Sequence, residues 1–399
     1  MSASQAVTTR ELQRRRRAAA VARTWDGPLL VTITALLCLG LVMVASASVT
    51  IADRQTGEPF YYFFRQLMFV GMGIGAAVPV LAVRMEHWQK AGPMLLMAAL
   101  VMLALVLVPG VGRQVNGSIR WLPLGVFYLQ VSELAKLLII TYLAGYLVRR
   151  GDEMRSDVRG FLKPMVLLVL ACLLLLLEPD FGATVVLMAT ALGMMYLAGV
   201  RLWQFAILLT MTGSAMGALA YLSPYRWARV VSFMDPWQDP FNSGFQLVQS
   251  LIAFGRGEWF GVGLGDSVQK LFYLPEAHTD FVFAVLAEEL GLVGAATVIA
   301  LFATLVWRAL LIGARAERNG RHFSAYLAYG IGLWLGLQAF INMGVNMGAL
   351  PTKGLTLPLM SYGGSSMVVT CVALAMLLRV GRENAALEQA QLNPGGMER

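Results

Sequence analysis

The feature that most constrains this chain is a series of long apolar runs that leaves little room for anything but a membrane bundle. They lie near 29–48, 63–83, 92–110, 127–148, 164–178, 181–200, 203–222, 281–307, 325–347 and 364–380. About 20 apolar residues in helical form cross about 30 Å of hydrocarbon, and each run meets or approaches that length. Only 14% of the residues are charged, against about 25% in a soluble globular chain. The first run follows Arg14–Arg17 and ends in "VASAS", which has the outline of a secretory signal. It is longer than the 7–15 residues of a signal core, and many more runs follow, so it reads as an uncleaved first helix.

The net charge of +8 does not point to nucleic acid. The basic residues sit in short segments between apolar runs rather than on one face. With the N-terminus placed in the cytoplasm, the inside segments hold about twenty Lys and Arg and the outside loops about eight, as the positive-inside rule requires. An even number of spans returns the C-terminus to the same side. The expected architecture is all-α: a polytopic integral membrane protein of about ten transmembrane helices. Residues 1–28 form a basic cytoplasmic tail, 29–382 the membrane domain, and 383–399 a polar cytoplasmic tail expected to be disordered. Cys38, Cys172 and Cys371 fall inside apolar runs and read as small core residues. His87, His278 and His322 are far apart, so a zinc site is not implied.

One outside loop, 223–280, is far longer than the others and rich in Gly, Pro and aromatics. Loops of this length are usually functional. Within it, "FQLVQSLIAFG" has the pattern of a short helix lying on the bundle.

Ionisable residues in or at the rim of spans are candidates for function, because burying them is costly unless they are paired. They are Arg65, Glu133, Lys136, Glu178, Asp180, Asp280, Glu288 and Glu289. Glu133 and Lys136 stand i,i+3 in "SELAK", as a local ion pair or as the lining of a polar cavity. Asp180 in "EPDFG" caps a turn or organises a cavity. Asp280 in "HTDFVFAVLAEELG" caps a helix or serves as a general base, since partial desolvation at a cavity mouth raises a carboxylate's pKa toward the working range. Glu288 and Glu289 read as structural. Outside basic residues are Arg113, Arg120, Arg226, Arg229, Arg256, Lys270 and Lys353, as solvated charge or as a phosphate cradle. Trp227, Trp237 and Trp259 read as interface anchors or as sugar-facing rings.

"YLPEAHTDFVFAVLAEELG" (273–291) resembles the SEDS family of cell-wall polymerases, and "NMGVNMGALPTKGLTLPLMSYGGSS" (342–366) resembles that family's C-terminal signature. "VNGSIRWLPLG", "SELAK" and "EPDFG" match in order, so the resemblance runs from the first span to Arg382, nearest the division branch. The family often carries Gln where this chain has Glu178. The resemblance implies a glycosyltransferase of the bacterial inner membrane, with both termini cytoplasmic, acting at the division septum. Its substrate would be lipid II, a disaccharide-pentapeptide on undecaprenyl pyrophosphate, polymerised into β-1,4 glycan strands. The family's catalytic aspartate falls on Asp280. Its cavity residues fall on Glu133, Lys136, Asp180 and Arg65, with Lys270 a further carry-over. Arginines, lysines or a divalent cation such as Mg would answer the departing pyrophosphate. Implied partners are a class B penicillin-binding transpeptidase and other division membrane proteins, with no nucleic acid. The alternatives are a lipid II flippase, which should show interrupted helices and inverted repeats, and a division scaffold.

Overall fold

The structure, a computed structural model, describes residues 25–392, apart from 116–117, 124, 126–127, 157, 201–206, 208–209, 212, 216, 219–220, 224–226, 228–230, 232, 243, 272–273 and 353. Asp26 starts the bundle. Its carboxylate accepts the Leu29 amide at 3.0 Å, and Pro28 occupies the first turn, where its missing N–H costs nothing. Helix α1 (Gly27–Thr56) runs straight through the "VASAS" stretch and ends on Gly57, whose φ of 74° closes the C-cap. Helices α2 (Tyr61–Ala82) and α3 (Met85–Val106) follow. Next come strands β1 (Arg113–Val115), β2 (Ser118–Pro123) and β3 (Tyr128–Gln130), then α4 (Val131–Ser156), α5 (Val158–Leu177) and α6 (Phe181–Leu197). The long loop carries α7 (Phe245–Gly257), and the chain closes with α8 (Val282–Arg318), α9 (His322–Asn346) and α10 (Gly364–Leu392).

Seven described helices are long and apolar enough to span a bilayer: α1–α4, α8, α9 and α10. Helices α5 and α6 are apolar but supply shorter windows. Half of the run at 203–222 lies outside the described residues, as do Arg226, Arg229 and Lys353. The polytopic helical reading therefore holds, with nine of the ten runs seen as helices.

Three features depart from the sequence reading. Residues 113–130, read only as loop and span edge, form a three-stranded antiparallel sheet with Leu122 facing Leu129 and Trp121 facing Gln130. The alternating "SIRWLP" that builds β2 is too short to register against the helical runs on either side. The polar tail is helical through Leu392 rather than disordered. Glu383 holds it: this carboxylate pairs with Arg379 at 2.8 Å and with Arg321, and accepts the Met85 amide at 3.2 Å. Helix α8 is broken at Gly291, whose φ is 65°. The backbone of 258–263 fills the break. Val262 N donates to Glu288 O at 3.0 Å, and Leu292 N to Glu258 O at 2.9 Å. Any side chain at Gly291 would strike this segment, with a Cβ 2.4 Å from the Gly261 nitrogen.

The short helix expected in the long loop is α7. It buries Leu247, Val248 and Ala253, and Ser250 donates to the Asn346 carbonyl at 2.7 Å. Glu288 and Glu289 are fully buried and structural, as read. Glu288 accepts from Ser267 at 2.5 Å and from two backbone amides, with Arg256 at 3.6 Å.

Candidate functional site

A cavity of about 350 Å³ opens at the end of the bundle that carries the long loop. Asp280, Asp180, Glu133, Arg65 and Arg120 all line it, although they are drawn from five different parts of the chain. The β-sheet forms one wall through Arg120, Trp121, Tyr128 and Gln130. The loop after α9 and the start of α10 form another, through Gly354, Thr356, Tyr362, Ser365 and Ser366. Ser365 joins the two walls: its hydroxyl accepts from the Gln130 amide and donates to the Tyr128 carbonyl, each at 2.8 Å.

Asp280 sits at the end of a tight turn. Glu276, with φ of 57°, accepts the Thr279 and Phe281 amides at 3.1 and 3.2 Å. The N-cap of α8 is Phe281, and no side chain of that residue caps the helix. The Ala284 amide is shared between the Phe281 carbonyl and Asn346 Oδ1, each at 3.0 Å. The amide of the same Asn346 donates to the Asp280 carbonyl at 3.0 Å, and Asn342 donates there at 2.9 Å. Asn342 and Asn346 of α9 thus hold the backbone on which Asp280 sits, and the Asp280 carboxylate lines the cavity. Gly354 gives it room, since a Cβ at that position would lie 3.0 Å from Asp280 Oδ2.

Asp180 satisfies both of its sequence readings. Oδ1 caps α6 by accepting the Ala183 amide at 3.0 Å. Oδ2 accepts from Ser132 at 2.8 Å and faces Arg120 at 3.7 Å. The pair in "SELAK" is likewise both things. Lys136 Nζ donates to Glu133 Oε1 at 2.9 Å, while Glu133 also lines the cavity. Lys136 is fully buried behind Glu133, donates to Gln338 at 2.8 Å and lies 5.2 Å from the Trp334 ring. Arg65 bonds the Tyr61 hydroxyl at 3.0 Å and stacks near Tyr61 and Phe69, with no carboxylate partner among the described residues.

Lys270 is not brought to this cavity. It is buried elsewhere, donating to Glu289 at 2.8 Å and to Ser46 at 3.0 Å. Arg113 stacks on Tyr128 and Arg256 pairs with Glu288. Of the described basic residues on the loop side, Arg65 and Arg120 are the two that face the cavity. Trp227, Trp237 and Trp259 are exposed and do not line it. Among the described residues, no three His, Cys, Asp or Glu side chains converge to hold a metal ion. The cavity residues do not form a cation cage, and its positive charge comes from the two arginines.

Burial pushes the Tyr362 phenol up to about 12, with Arg65 opposing, so the hydroxyl at the cavity edge remains a neutral donor. His278 wedges between Tyr62 and Tyr362, at ring distances of 4.8 and 5.6 Å. Burial lowers its pKa, against Glu276, which favours the neutral imidazole. Glu178, in the turn before α6, has neither carboxylate oxygen partnered among the described residues. Burial first, then the neighbouring Asp180, raises it to about 8, with Arg120 opposing.

Gln338, Asn342 and Asn346 are the residues that sequence reasoning missed. They recur at i, i+4 and i+8 of α9. Gln338 holds Lys136 and the Thr356 carbonyl, and Asn342 holds the Asp280 and Leu355 carbonyls. Three amides in period on an apolar span were a visible signal of a polar seam. Gln66 plays a similar part, donating to the Ser361 carbonyl at 3.0 Å and holding the "SYGGSS" turn.

Comparisons with known proteins agree over nearly the whole chain. The family model for FtsW, RodA and SpoVE, described as cell cycle protein, matches residues 28–386. A protein of Nitrosococcus halophilus named probable peptidoglycan glycosyltransferase FtsW is 62% identical over 355 residues, 89% of this chain and 92% of the relative. Its namesake in Thioalkalivibrio sulfidiphilus is 61% identical, covering 91% of each chain. Among solved structures, the rod shape determining protein RodA of Thermus thermophilus aligns with a TM-score of 0.68 at 28% identity, over 90% of this chain and 97% of that one. A chain from work on the coordination of polymerization and crosslinking by a peptidoglycan synthase complex aligns at 0.72 and 30% identity, over 90% and 98%.

Proposed function

The chain belongs to the FtsW/RodA/SpoVE family, and from that premise we propose that it is a peptidoglycan glycosyltransferase whose general base is Asp280. Its relatives named for that activity are 52–62% identical, which supports the enzyme class. The substrate is lipid II, polymerised into β-1,4 glycan strands for the septal wall. The protein works in the bacterial inner membrane, with both termini cytoplasmic and the cavity facing the periplasm. A class B penicillin-binding transpeptidase is its partner, a reading supported by its similarity to a chain of a peptidoglycan synthase complex.

One observation carries the assignment of the base: the Asp280 carboxylate lines the same cavity as Arg65 and Arg120. Asp280 accepts the proton of the acceptor sugar's 4-hydroxyl. That oxygen attacks the donor's anomeric carbon as the bond to pyrophosphate breaks, with inversion. The leaving group is already a stable anion and requires no proton. What it requires is positive charge in a site sheltered from water, which Arg65 and Arg120 supply. Asp180 aims Arg120, and the buried Glu133–Lys136 pair fixes the cavity floor. An apolar groove formed by Gly182, Val185, Ile341, Leu350 and Pro351 meets the cavity at Leu355, where a polyprenyl tail passes to the lipid.

The test is polymerisation of labelled lipid II by the purified protein with its transpeptidase, compared with Asp280→Asn. Glycan strands from wild type and none from a folded Asp280→Asn are expected. Strands of normal yield from that variant would refute the assignment. A flippase is not favoured by the two interruptions seen in the described helices, because the break at Gly291 is filled by protein backbone rather than by a cavity and the kink at Arg150 lies near the end of α4 remote from the site.

A further inference from the structure

The far end of the bundle holds a second cavity, of about 230 Å³, that glycosyl transfer does not use. Two helices running side by side build it. Arg308, Ile312 and Arg315 recur at i, i+4 and i+7 on α8 and face a matching stripe of Gly381, Asn384 and Glu388 on α10. The start of α1, Trp25–Pro28, closes the third side. Trp25 is stacked by Arg382 at 5.5 Å, as suits a ring at a membrane–water boundary. The distribution of Lys and Arg places this end in the cytoplasm.

Some of the lining is already satisfied. Asp26 caps α1 and is gripped by both ends of the Arg308 guanidinium, at 3.0 and 2.5 Å. That pair is neutral and buries no unmet need. Three groups remain. Asn384 is 2% exposed. Its amide nitrogen donates to the Ile312 carbonyl at 3.0 Å, but Oδ1 is buried with no partner among the described residues. A buried acceptor without a donor is unusual enough in a folded protein to require an occupant or an explanation. Arg315 and Glu388 carry opposite charges on the same cavity, and neither has an ion-pair partner among the described residues.

We propose that this cavity binds the head group of a phospholipid bearing a primary ammonium, with the phosphate on Arg315 and the ammonium between Asn384 Oδ1 and Glu388. Opposite charges on facing walls of one cavity suit a zwitterion better than a simple anion. Asn384 Oδ1 and a carboxylate both need hydrogen-bond donors. A primary ammonium has three, and a quaternary choline head group has none. The volume equals about eight waters at roughly 30 Å³ each, enough for a phosphate with a two-carbon amine. Lining from both the membrane end (Trp25, Pro28) and the aqueous end (Arg315, Glu388) lets the glycerol backbone stay at the interface while the head group turns inward.

The test is native mass spectrometry of the full-length protein released from detergent with equal amounts of phosphatidylethanolamine, phosphatidylcholine and phosphatidylglycerol of one acyl composition. Phosphatidylethanolamine should be retained roughly tenfold over phosphatidylcholine, and Arg315→Gln and Glu388→Gln should each reduce that about tenfold. Arg318→Gln, on an exposed α8 residue outside the cavity, should leave it unchanged. Equal retention of the ethanolamine and choline lipids would overturn the proposal, as would retention indifferent to both cavity variants. Preference for phosphatidylglycerol, lost in Arg315→Gln but not in Glu388→Gln, would replace it with a simple anion site. Displacement of all three lipids by inorganic phosphate would reduce it to a free-phosphate site. The lipid comparison on wild-type protein decides the matter even where a variant fails to fold. None of these outcomes depends on glycosyltransferase activity, so the cavity and the enzyme reading stand or fall separately.

Discussion

Glu178→Gln should stabilise this protein at neutral pH and not at acidic pH. Glu178 is fully buried in the turn between α5 and α6, with both oxygens unpartnered among the described residues. Its pKa rises from 4.5 to about 8, so the folded state holds a proton that the unfolded state releases above 4.5. In that window the unfolded chain binds fewer protons, and stability falls by about 1.4 kcal/mol per pH unit. Below 4.5 both states are protonated and there is no cost; above 8 the cost is complete. Between pH 5 and pH 7 the wild type should lose about 2.5 kcal/mol from this one group, reaching about 3 kcal/mol in total at pH 7. Glutamine matches the neutral acid in shape and titrates nowhere, so the variant should lack this slope. Unfolding free energies from SDS titration in mixed micelles, at pH 5 and pH 7, measure the difference directly. The two proteins should be within about 1 kcal/mol at pH 5 and diverge at pH 7. Parallel pH dependence would refute the reasoning and show that Glu178 is ionised in the fold, held by Arg120.

Other perturbations separate the structural charges from the catalytic ones. Lys270→Met should cost roughly 3–5 kcal/mol, because Glu289 remains buried with only Ser46 to answer it; adding Glu289→Leu should restore most of that, and a single variant that melts like wild type would contradict it. Asn346→Ala leaves the Ala284 amide with the Phe281 carbonyl alone and removes one donor from the Asp280 carbonyl. It should cost about 2 kcal/mol and slow turnover more than it weakens lipid II binding, as kcat and KM measured separately would report. Gly354→Ala puts a methyl 3.0 Å from Asp280 Oδ2; it should fold normally and reduce polymerisation roughly tenfold to hundredfold, and full activity would show that the carboxylate's position there is immaterial.

Much of the site was legible one residue at a time, and its assembly was not. Asp280, Asp180, Glu133 and Arg65 stood out because a charge in or beside an apolar run is costly and therefore conspicuous. The choice between capping and chemistry at Asp280 could not be read from "HTDF". It depends on Asn342 and Asn346, which arrive from α9 to hold the Asp280 carbonyl and set the carboxylate on the cavity wall. Lys270 shows the reverse failure. It looked like a loop cation available to substrate, but the break at Gly291 brings Glu289 against it. Arg120 was one of seven outside basic residues with nothing to single it out until the sheet carried it opposite Asp180.

The sequence by itself determined that this chain is a helical membrane bundle, and the basic segments between its apolar runs indicated its orientation. Those properties are sums over local windows: a length of apolar helix against hydrocarbon thickness, and a count of basic residues between runs. Tertiary structure alone decided which charges neutralise one another and which are left facing a cavity. Pairing energies depend on distances across helices, between residues as far apart as Ser46 and Glu289 or Gln66 and Ser361. No local pattern encodes such distances, and a shift of a few ångströms turns a buried ion pair into an exposed reactive group.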